Sequence, residues 1–385
     1  MFIKNKKNPI GVDISNGAIK LVELARHRDK ISIQAMGKTT LSDQIIVDGV
    51  ITNKDLAIKE IKNILSKPII GKFTSSECVF SLPDAVSFIK LIEVEKSEKV
   101  ADEIINHVPF AINDLAYDWQ IIKDSGLNIE HELVLFSACQ KQILDTYIQT
   151  LNGAGLNVIA AEIESEAVCR ALLAEESKKF RGQFDKNYAI IDIGMNKTNM
   201  IVYSHNTILF SLSIPISGEE ITQKISTTLQ IETDQAEKAK IICGLDENKA
   251  DGIIKNILSD IIKDLKNRIV ENIDYYNSHF TNRGPISLIL LSGGGANIKN
   301  IDLLIKDLTA IETKIADVFT NCDGITAKDN IKLIETHQLE PFKDKKSPLK
   351  TNFKQNENYT ASQNSSGSLA TAVGLSLREL FLNEY

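Results

Sequence analysis

The sequence predicts an α/β protein built from two related lobes, and three observations support this prediction. A strand–turn–strand pattern around an aspartate occurs at residues 10–17 and again at 190–198. An apolar strand at 289–291 runs directly into a serine and three consecutive glycines. A chain of 385 residues also exceeds the usual size of one hydrophobic core, so we expect at least two folding units.

The two aspartate hairpins have the chemistry of a polyphosphate clamp. Asp13 and Asp192 each stand between aliphatic residues at the end of a predicted strand, and small or amide residues follow at the turn. Backbone N–H groups of a tight turn can cradle phosphate oxygens, and a nearby carboxylate can hold Mg²⁺ directly or through water. One such hairpin carries little information, since each aspartate can also cap its own turn. A second copy in the other half of the chain predicts a cleft between two lobes.

The glycine-rich segment Gly293-Gly294-Gly295 is the third candidate ligand contact. Without side chains, a strand-to-helix turn lets the backbone approach a ligand closely. The alternative is an ordinary turn between a strand and a helix, because glycines are common at such junctions. Its position after both hairpins favours the ligand site.

Composition excludes several classes of protein. Hydrophobic residues make up 43% of the chain and charged residues 25%, which is typical of globular proteins. The net charge of −7 gives no general attraction for nucleic acid, so we expect no nucleic-acid partner. No apolar stretch is long enough for a signal peptide or a membrane span, and we expect a cytoplasmic protein. The five cysteines lack the spacing of a zinc or nucleophile motif.

Changes in composition along the chain divide it into parts. In order, these are the first part of lobe one (1–86), an inserted small α+β subdomain (87–150), the second part of lobe one with a connecting small-residue helix (151–186), and the second lobe (187–385). The second lobe contains a helical subdomain at about 218–283. Residues 344–368 are polar with almost no aliphatic side chains, which predicts a mobile loop.

The order of these parts resembles the superfamily of actin, Hsp70 and sugar-kinase ATPases over nearly the full length. Within it, the chain is similar to the type IV pilus assembly protein PilM family, relatives of the cell-division protein FtsA. The segments that carry this resemblance are Gly11-Val12-Asp13-Ile14 through Leu24, Val108-Pro109-Phe110, Ala154-Gly155-Leu156 and Ala372 to Arg378. The resemblance implies a two-lobed actin-like (ribonuclease H-like) ATPase fold with an inserted small α+β subdomain.

The resemblance also implies roles for individual residues in binding ATP and Mg²⁺. Asp13 and Asp192 would lie near the metal, Glu164 near the attacking water, and Asp192 would also contribute to catalysis. The phosphate contacts implied are Ser15, Asn16, Gly17, Gly194, Asn196 and Thr198. The ribose and adenine contacts implied are Glu237 and Lys240, the adenosine turn is Gly293, Gly294, Gly295 and Asn297, and Gly218 stands where relatives often have two glycines.

Alternatives stay open for three of these residues. Glu164 is compatible with an exposed helix position, and Glu162 competes for its role. Glu237 and Lys240 also have the spacing of an ordinary ion pair on a helix surface.

Two departures from the family pattern bear on catalysis. Ser15 stands where relatives usually have glycine, and Ala18 stands where a hydroxyl is common. Binding tolerates such changes better than hydrolysis does, because hydrolysis requires an oriented water and accurately placed charges. We therefore expect ATP binding with slow hydrolysis at most.

For function, the resemblance implies a cytoplasmic ATP-binding adaptor of type IV pilus assembly, with ATP acting mainly as a conformational ligand. Its partner would be the N-terminal tail of a PilN-like inner-membrane protein, which brings the adaptor to the membrane. Further contacts with pilus motor or platform proteins and a homo-oligomer are also expected. An apolar and acidic stretch predicts the wall for the tail, although a plain amphipathic helix has the same pattern. Its residues are Asp102, Glu103, Ile104, Ile105, Val108, Pro109 and Phe110.

Two other functions remain open. A filament-forming division protein similar to FtsA should have a basic amphipathic membrane helix after a flexible linker, whereas residues 380–385 are acidic and directly attached. A sugar or acid kinase should have a catalytic base and a sugar pocket, for which we find no distinct motif.

Overall fold

The computed structural model describes residues 8–28, 30–41, 45–96, 98–122, 131–179, 186–322 and 367–382. The predicted mobile loop at 344–368 lies outside the described residues except for its last two positions. Within the described part, the strands form two large mixed sheets and one short hairpin.

The first sheet contains six strands. They are β1 (Ile10–Ser15), β2 (Ala18–His27), β3 (Lys30–Thr40), β6 (Ile70–Gly71), β7 (Glu77–Leu82) and β11 (Asn157–Ile163). Their order across the sheet is β11-β7-β1-β2-β3-β6. β1, β2 and β3 form an antiparallel meander, and β7 and β11 continue the sheet in parallel on the other side of β1. A separate hairpin consists of β4 (Ile46–Val47) and β5 (Val50–Ile51).

The second sheet contains eight strands and repeats this topology. They are β8 (Ser87–Glu95), β9 (Leu115–Ile122), β10 (His131–Gln140), β12 (Asn187–Ile193), β13 (Thr198–Ser204), β14 (Thr207–Ile214), β15 (Leu288–Ser292) and β16 (Thr313–Ile315). Their order is β16-β15-β12-β13-β14-β8-β10-β9. Again an antiparallel meander, β12-β13-β14, is flanked by parallel strands, β15 and β16, next to its first strand. The paired hairpins in the sequence therefore reflect two halves with the same strand arrangement.

The helices pack against the two sheets. They are α1 (Lys54–Ser66), α2 (Val100–Ile104), α3 (Lys141–Gly153), α4 (Glu164–Lys179), α5 (Gly218–Leu229), α6 (Thr233–Ile242), α7 (Ile253–His279), α8 (Ile301–Thr309) and α9 (Ala370–Leu382). Helices α5 to α8 share one core with the second sheet, and α1 and α3 share another with the first. Among the described helices, none has both the length and the apolar character needed to span a bilayer.

Helices α4 and α9 pack closely and connect the two halves. Their apolar faces share a core with strands of both sheets, through residues such as Val22, Val168, Ile190 and Val373. A Cβ at Gly374 would lie 1.8 Å from the carbonyl oxygen of Ala167, so this crossing requires a residue without a side chain. The small residues in the sequence of α9 are thus explained by its contact with α4.

The segment 87–150, predicted as one inserted subdomain, contributes to two cores. Its strands β8, β10 and β9 extend the second sheet, with Lys90 of β8 opposite Phe210 of β14. Its helix α3 instead packs in the first core, where Tyr147 and Leu151 are completely buried. The chain between β7 and α3 therefore ties the two halves together.

Candidate functional site

The turns of the two aspartate hairpins lie against each other. The first turn is Asn16-Gly17, and a Cβ added to Gly17 would meet the sulfur of Met195 in the second turn at 2.0 Å. In the second turn, the Gly194 N–H donates to the Lys197 carbonyl at 2.9 Å. The structure thus brings the ends of β1 and β12, one from each sheet, to a common site.

A row of charged residues crosses the first sheet at this site. Asp13 on β1 lies opposite Lys20 on β2, which in turn lies opposite Lys38 on β3. The Lys20 ammonium donates to Asp13 Oδ2 at 2.7 Å, and both side chains are largely buried. Sequence analysis missed both lysines, although the register of a hairpin turning at residues 16–17 places residue 20 opposite residue 13.

Burial and neighbouring charges perturb both lysines. Burial lowers the pKa of Lys20, but the carboxylates of Asp13, Glu164 and Asp192 outweigh burial and raise it above its ordinary value. Burial, assisted by the positive charge of Lys20, lowers the pKa of Lys38 to about 8. An anion at this face would favour the charged form of both groups.

The carboxylates around the site repel one another in a buried environment. Burial is the main reason that the pKa of Asp192 rises to about 6, and Asp13 and Asp84 raise it further while Lys20 and a hydrogen bond with Ser292 oppose the rise. Burial also raises the pKa of Glu164 well above 4.5, with added repulsion from Asp13, Asp84 and Asp192. Such a cluster gains stability when a cation enters.

Glu162 and Glu164 have different surroundings in the fold. Glu162 accepts two hydrogen bonds from the Arg170 guanidinium, at 2.7 and 3.0 Å, and a third from Arg378 Nε at 2.7 Å. Glu164 begins α4 and interacts electrostatically with both hairpin aspartates. Of the two glutamates considered for the attacking water, the site therefore includes Glu164.

Three polar side chains predicted to contact phosphate form hydrogen bonds with the backbone. Ser15 Oγ donates to the Ala18 carbonyl at 2.9 Å, and Asn16 Oδ1 accepts from the Gly49 N–H at 3.1 Å. Thr198 is buried, and its hydroxyl donates to the Ile216 carbonyl at 2.7 Å. These hydrogen bonds help to fix the conformation of the two hairpin turns.

The remaining predicted phosphate contact in the second turn is more exposed. Asn196 Nδ2 lies 3.3 Å from Glu219 Oε2, at the first turn of α5. The Gly218 N–H, which begins that helix, donates to the Gly194 carbonyl at 2.9 Å. The start of α5 is therefore docked on the second hairpin turn.

Lys240 and Glu237 form an ion pair that also anchors α5. The Lys240 ammonium is buried and contacts Glu237 Oε2 at 2.6 Å, the Gly218 carbonyl at 2.9 Å and Thr222 Oγ1 at 2.8 Å. These partners account for all three N–H donors of an ammonium group. Lys240 thus positions Glu237, whose side chain is 43% exposed, beside the start of α5.

The glycine turn has a distinct requirement at each position. Gly293 has φ 80°, and a Cβ there would lie 2.4 Å from the Ile193 carbonyl oxygen; a Cβ at Gly295 would lie 2.1 Å from Ile193 Cγ2. A Cβ at Gly294 would have no atom within 4 Å, and Asn297 Nδ2 donates to the Gly294 carbonyl at 3.0 Å. The outer two glycines are needed for packing against β12, and the middle one leaves open space for a ligand.

Asp13 and Asp192 could supply only part of the coordination shell of a Mg²⁺ ion. In the described parts of the chain, no group of three or more His, Cys, Asp or Glu residues is arranged to hold a metal ion. Mg²⁺ with a nucleotide, however, needs only one or two carboxylates, since phosphate oxygens and water complete its shell. Asp13, which is buried, and Asp192, which is partly buried, are oxygen donors at the two hairpins and meet that requirement.

Of the residues predicted to bind the partner tail, one is buried in the core and others are exposed on the surface. Ile104 is completely buried against Ile92, Val134 and other residues of β8 and β10, so it belongs to the core and not to the surface. Ile105 is 43% exposed and Phe110 39% exposed.

The other residues of this wall are polar or partly covered. Asp102 and Pro109 are exposed, and Val108 packs partly on the same core. Glu103 Oε1 pairs with His107 Nε2 at 3.0 Å. Sequence analysis missed two further exposed apolar residues, Trp119 and Ile121, on the edge strand β9.

The chain matches a known protein family over most of its length. A family model described as "Type IV pilus assembly protein PilM" matches residues 11–340. The chain belongs to the PilM family. This confirms the family and the two-lobed actin-like fold predicted from the sequence.

Curated relatives of this PilM family member include cell-division proteins FtsA. FtsA of Staphylococcus epidermidis is 21% identical over 353 residues, which cover 80% of this chain and 73% of the relative. FtsA of Bacillus subtilis is 24% identical over 208 residues, covering 50% and 46%. The family match favours pilus assembly over cell division.

Solved structures show the same fold. A PilM-PilN type IV pilus biogenesis complex aligns with a TM-score of 0.73 and 17% identity, covering 96% of this chain and 98% of the other. The ethanolamine utilization protein EutJ of Carboxydothermus hydrogenoformans aligns with a TM-score of 0.52 and 14% identity, covering 98% and 93%. At these identities, the likeness establishes the fold alone.

Proposed function

We propose that this PilM family member binds Mg·ATP between its two sheets. The observation that carries the proposal is the meeting of the two hairpin turns at Gly17 and Met195, with Asp13, Lys20 and Asp192 beside them. Backbone turns, two carboxylates that are buried or partly buried, and a largely buried ammonium are groups that suit a metal–polyphosphate complex.

Each part of the site has a role in this proposal. Asp13 and Asp192 would hold Mg²⁺, which supplies positive charge next to the phosphates. Lys20 and Lys38 would neutralise phosphate oxygens, and the turn backbone would donate N–H groups, since Ser15 and its neighbours use their side chains elsewhere. The open face at Gly294 leaves room for the nucleoside.

The proposed site favours binding over hydrolysis. Hydrolysis needs an oriented water and accurately placed charges, and the first hairpin departs from the family pattern at Ser15 and Ala18. We therefore propose that ATP acts mainly as a conformational ligand and is hydrolysed slowly at most.

The partner we propose is the N-terminal cytoplasmic tail of a PilN-like inner-membrane protein. Support comes from the similarity to a PilM-PilN complex and from the exposure of Asp102, Ile105 and Phe110 in one segment of the chain. An apolar tail segment flanked by basic residues would match this surface. The protein would then reach the inner membrane through its partner, and contacts with motor or platform proteins and self-association belong to the same proposal.

Nucleotide binding is tested by calorimetry with Mg·ATP on the wild-type chain, Asp192→Asn and the control Asp264→Asn. Asp264 lies on α7 with its side chain 56% exposed. We expect at least tenfold weaker binding for Asp192→Asn, and unchanged binding for the control. Equal affinity of Asp192→Asn and wild type would remove Asp192 from the metal site, and a wild-type chain that binds no nucleotide would overturn the proposal.

Partner binding is tested with a fluorescent peptide of the N-terminal tail of the PilN-like protein from the same organism. We expect Phe110→Asp to weaken its binding at least tenfold. Leu303→Asp is the control, since Leu303 is an exposed apolar residue on α8. Retained affinity in Phe110→Asp would place the binding surface elsewhere.

A further inference from the structure

Asp84 lies in the turn where the chain passes from the first sheet to the second. β7 of the first sheet ends at Leu82, and β8 of the second begins at Ser87. The turn is closed by a hydrogen bond from the Val86 N–H to the Pro83 carbonyl at 3.0 Å, and Ser87 Oγ also donates to that carbonyl at 2.9 Å. Asp84 therefore lies at the junction of the two sheets, in a turn closed by two hydrogen bonds.

One oxygen of Asp84 connects three elements. Asp84 Oδ2 accepts hydrogen bonds from Ser165 Oγ at 2.5 Å and from Ser211 Oγ at 2.7 Å. Ser165 is the second residue of α4, directly after Glu164, and Ser211 lies on β14 of the second sheet. The carboxylate thus joins the start of α4 to the second sheet.

The other oxygen of Asp84 is in an unusual state. Asp84 Oδ1 is buried and has no hydrogen-bond partner in the described part of the chain. A buried carboxylate oxygen without a donor is destabilising, and such groups in native proteins call for an explanation. The negative charge of Asp84 also raises the pKa values of Glu164 and Asp192, which shows that it lies close to the proposed nucleotide site.

On its other side, the Asp84 turn leads directly to the proposed partner surface. Phe88, the second residue of β8, packs edge-on against Phe110 with ring centroids 6.0 Å apart. Further along β8, Ile92 and Val94 hold α2 through Ile104. A peptide bound at Phe110 would therefore restrain the start of β8, four residues from Asp84.

We propose that Asp84 is a positioning residue that couples the partner surface to the nucleotide site, through its hydrogen bonds to Ser165 and Ser211. This inference rests on the proposed function. A nucleotide held by both hairpins would favour the arrangement in which Asp84 is hydrogen-bonded to both Ser165 and Ser211. A peptide that restrains β8 would favour the same arrangement. The two ligands therefore bind cooperatively, and the coupling is reciprocal.

The test is the affinity of the fluorescent PilN-like tail peptide with and without saturating Mg·ATP. We expect Mg·ATP to tighten peptide binding by the wild-type chain about fivefold or more. Ser211→Ala removes one hydrogen bond and is expected to reduce the effect to less than about twofold, while each ligand alone still binds. Ser213→Ala is the control, because Ser213 is exposed on the same strand, and it should keep the full effect.

Rescue separates this role from a general loss of stability. Ser211→Thr keeps the hydroxyl and should keep the coupling, whereas Asp84→Ala removes the acceptor of both hydrogen bonds and should abolish the coupling in a chain that still unfolds cooperatively. Full coupling in both Ser211→Ala and Asp84→Ala would overturn the inference, as would a wild-type chain that binds both ligands independently. A wild-type chain that binds neither ligand would instead overturn the proposed function on which the inference rests.

Discussion

Replacing Asp192 by asparagine should stabilise the ligand-free protein while weakening its proposed metal site. The two side chains have nearly the same shape, so the change removes a charge with little repacking. Burial, together with Asp13 and Asp84, raises the pKa of Asp192 from 3.8 to about 6. At about 1.4 kcal/mol for each pKa unit, the ionised carboxylate costs about 3 kcal/mol of stability at neutral pH.

The sign of this effect follows from proton uptake. Between pH 4 and pH 6 the folded chain holds a proton on Asp192 that the unfolded chain has released, so stability falls as the pH rises through this window. Above about pH 6 both states are ionised and the loss is complete. The advantage of Asp192→Asn should therefore be about 3 kcal/mol at pH 7.5, about half of that at pH 5, and absent below pH 4.

Urea denaturation without nucleotide or Mg²⁺, at pH 5 and pH 7.5, measures this difference. Asp264→Asn, which changes an exposed carboxylate, should leave the free energy of unfolding nearly unchanged at both pH values. With saturating Mg·ATP the difference in the free energy of unfolding between Asp192→Asn and wild type should shrink or change sign, because ligand binding stabilises the wild type by mass action. An Asp192→Asn variant that is less stable than wild type, or whose advantage does not grow with pH, would refute the reasoning.

Three further predictions concern other buried contacts. Gly374→Leu should destabilise the protein by at least about 3 kcal/mol or prevent folding, because its Cβ would overlap the Ala167 carbonyl; normal thermal unfolding would contradict this. Lys38→Met should stabilise the ligand-free chain by about 3 kcal/mol at pH 7, because burial lowers the pKa of Lys38 from 10.5 to about 8. The gain should disappear in denaturation curves above about pH 10.5, where Lys38 is neutral in both the folded and the unfolded wild type. Arg378→Met should cost about 1–3 kcal/mol by leaving Glu162 with Arg170 alone, and an unchanged melting temperature would show that one arginine is sufficient.

Local patterns in the sequence were enough to predict the hairpins and the glycine turn. Asp13 and Asp192 occupy strand ends before tight turns, and such turns depend on residues adjacent in the chain. The same reasoning, extended to strand register, identifies Lys20 opposite Asp13. Lys38 is harder to foresee, because its position also depends on the irregular register between β2 and β3.

Side chains that serve long-range contacts were not predictable in this way. Thr198 and Asn16 have residue types suited to phosphate binding, yet their hydrogen bonds go to Ile216 and Gly49, which lie elsewhere in the chain. Ile104 fits an amphipathic surface helix, but the sheet of β8 and β10 covers it. Helix α2 has only five residues, too few to show the apolar stripe that marks the buried face of a longer helix, so its packing partners decide which side is buried.

The sequence by itself determined the duplicated strand arrangement and the location of the turns, because these follow from apolar periodicity and the conformational preferences of glycine, asparagine and aspartate. The family was predicted from the resemblance of short segments such as Gly11-Val12-Asp13-Ile14. Only the tertiary structure decided which glutamate faces the site, since Glu162 and Glu164 differ in whether arginines of α4 and α9 reach them. It also revealed Asp84, whose serine partners lie 81 and 127 positions away. Hydrogen bonds and electrostatic interactions depend on distance in space, and the fold alone sets that distance.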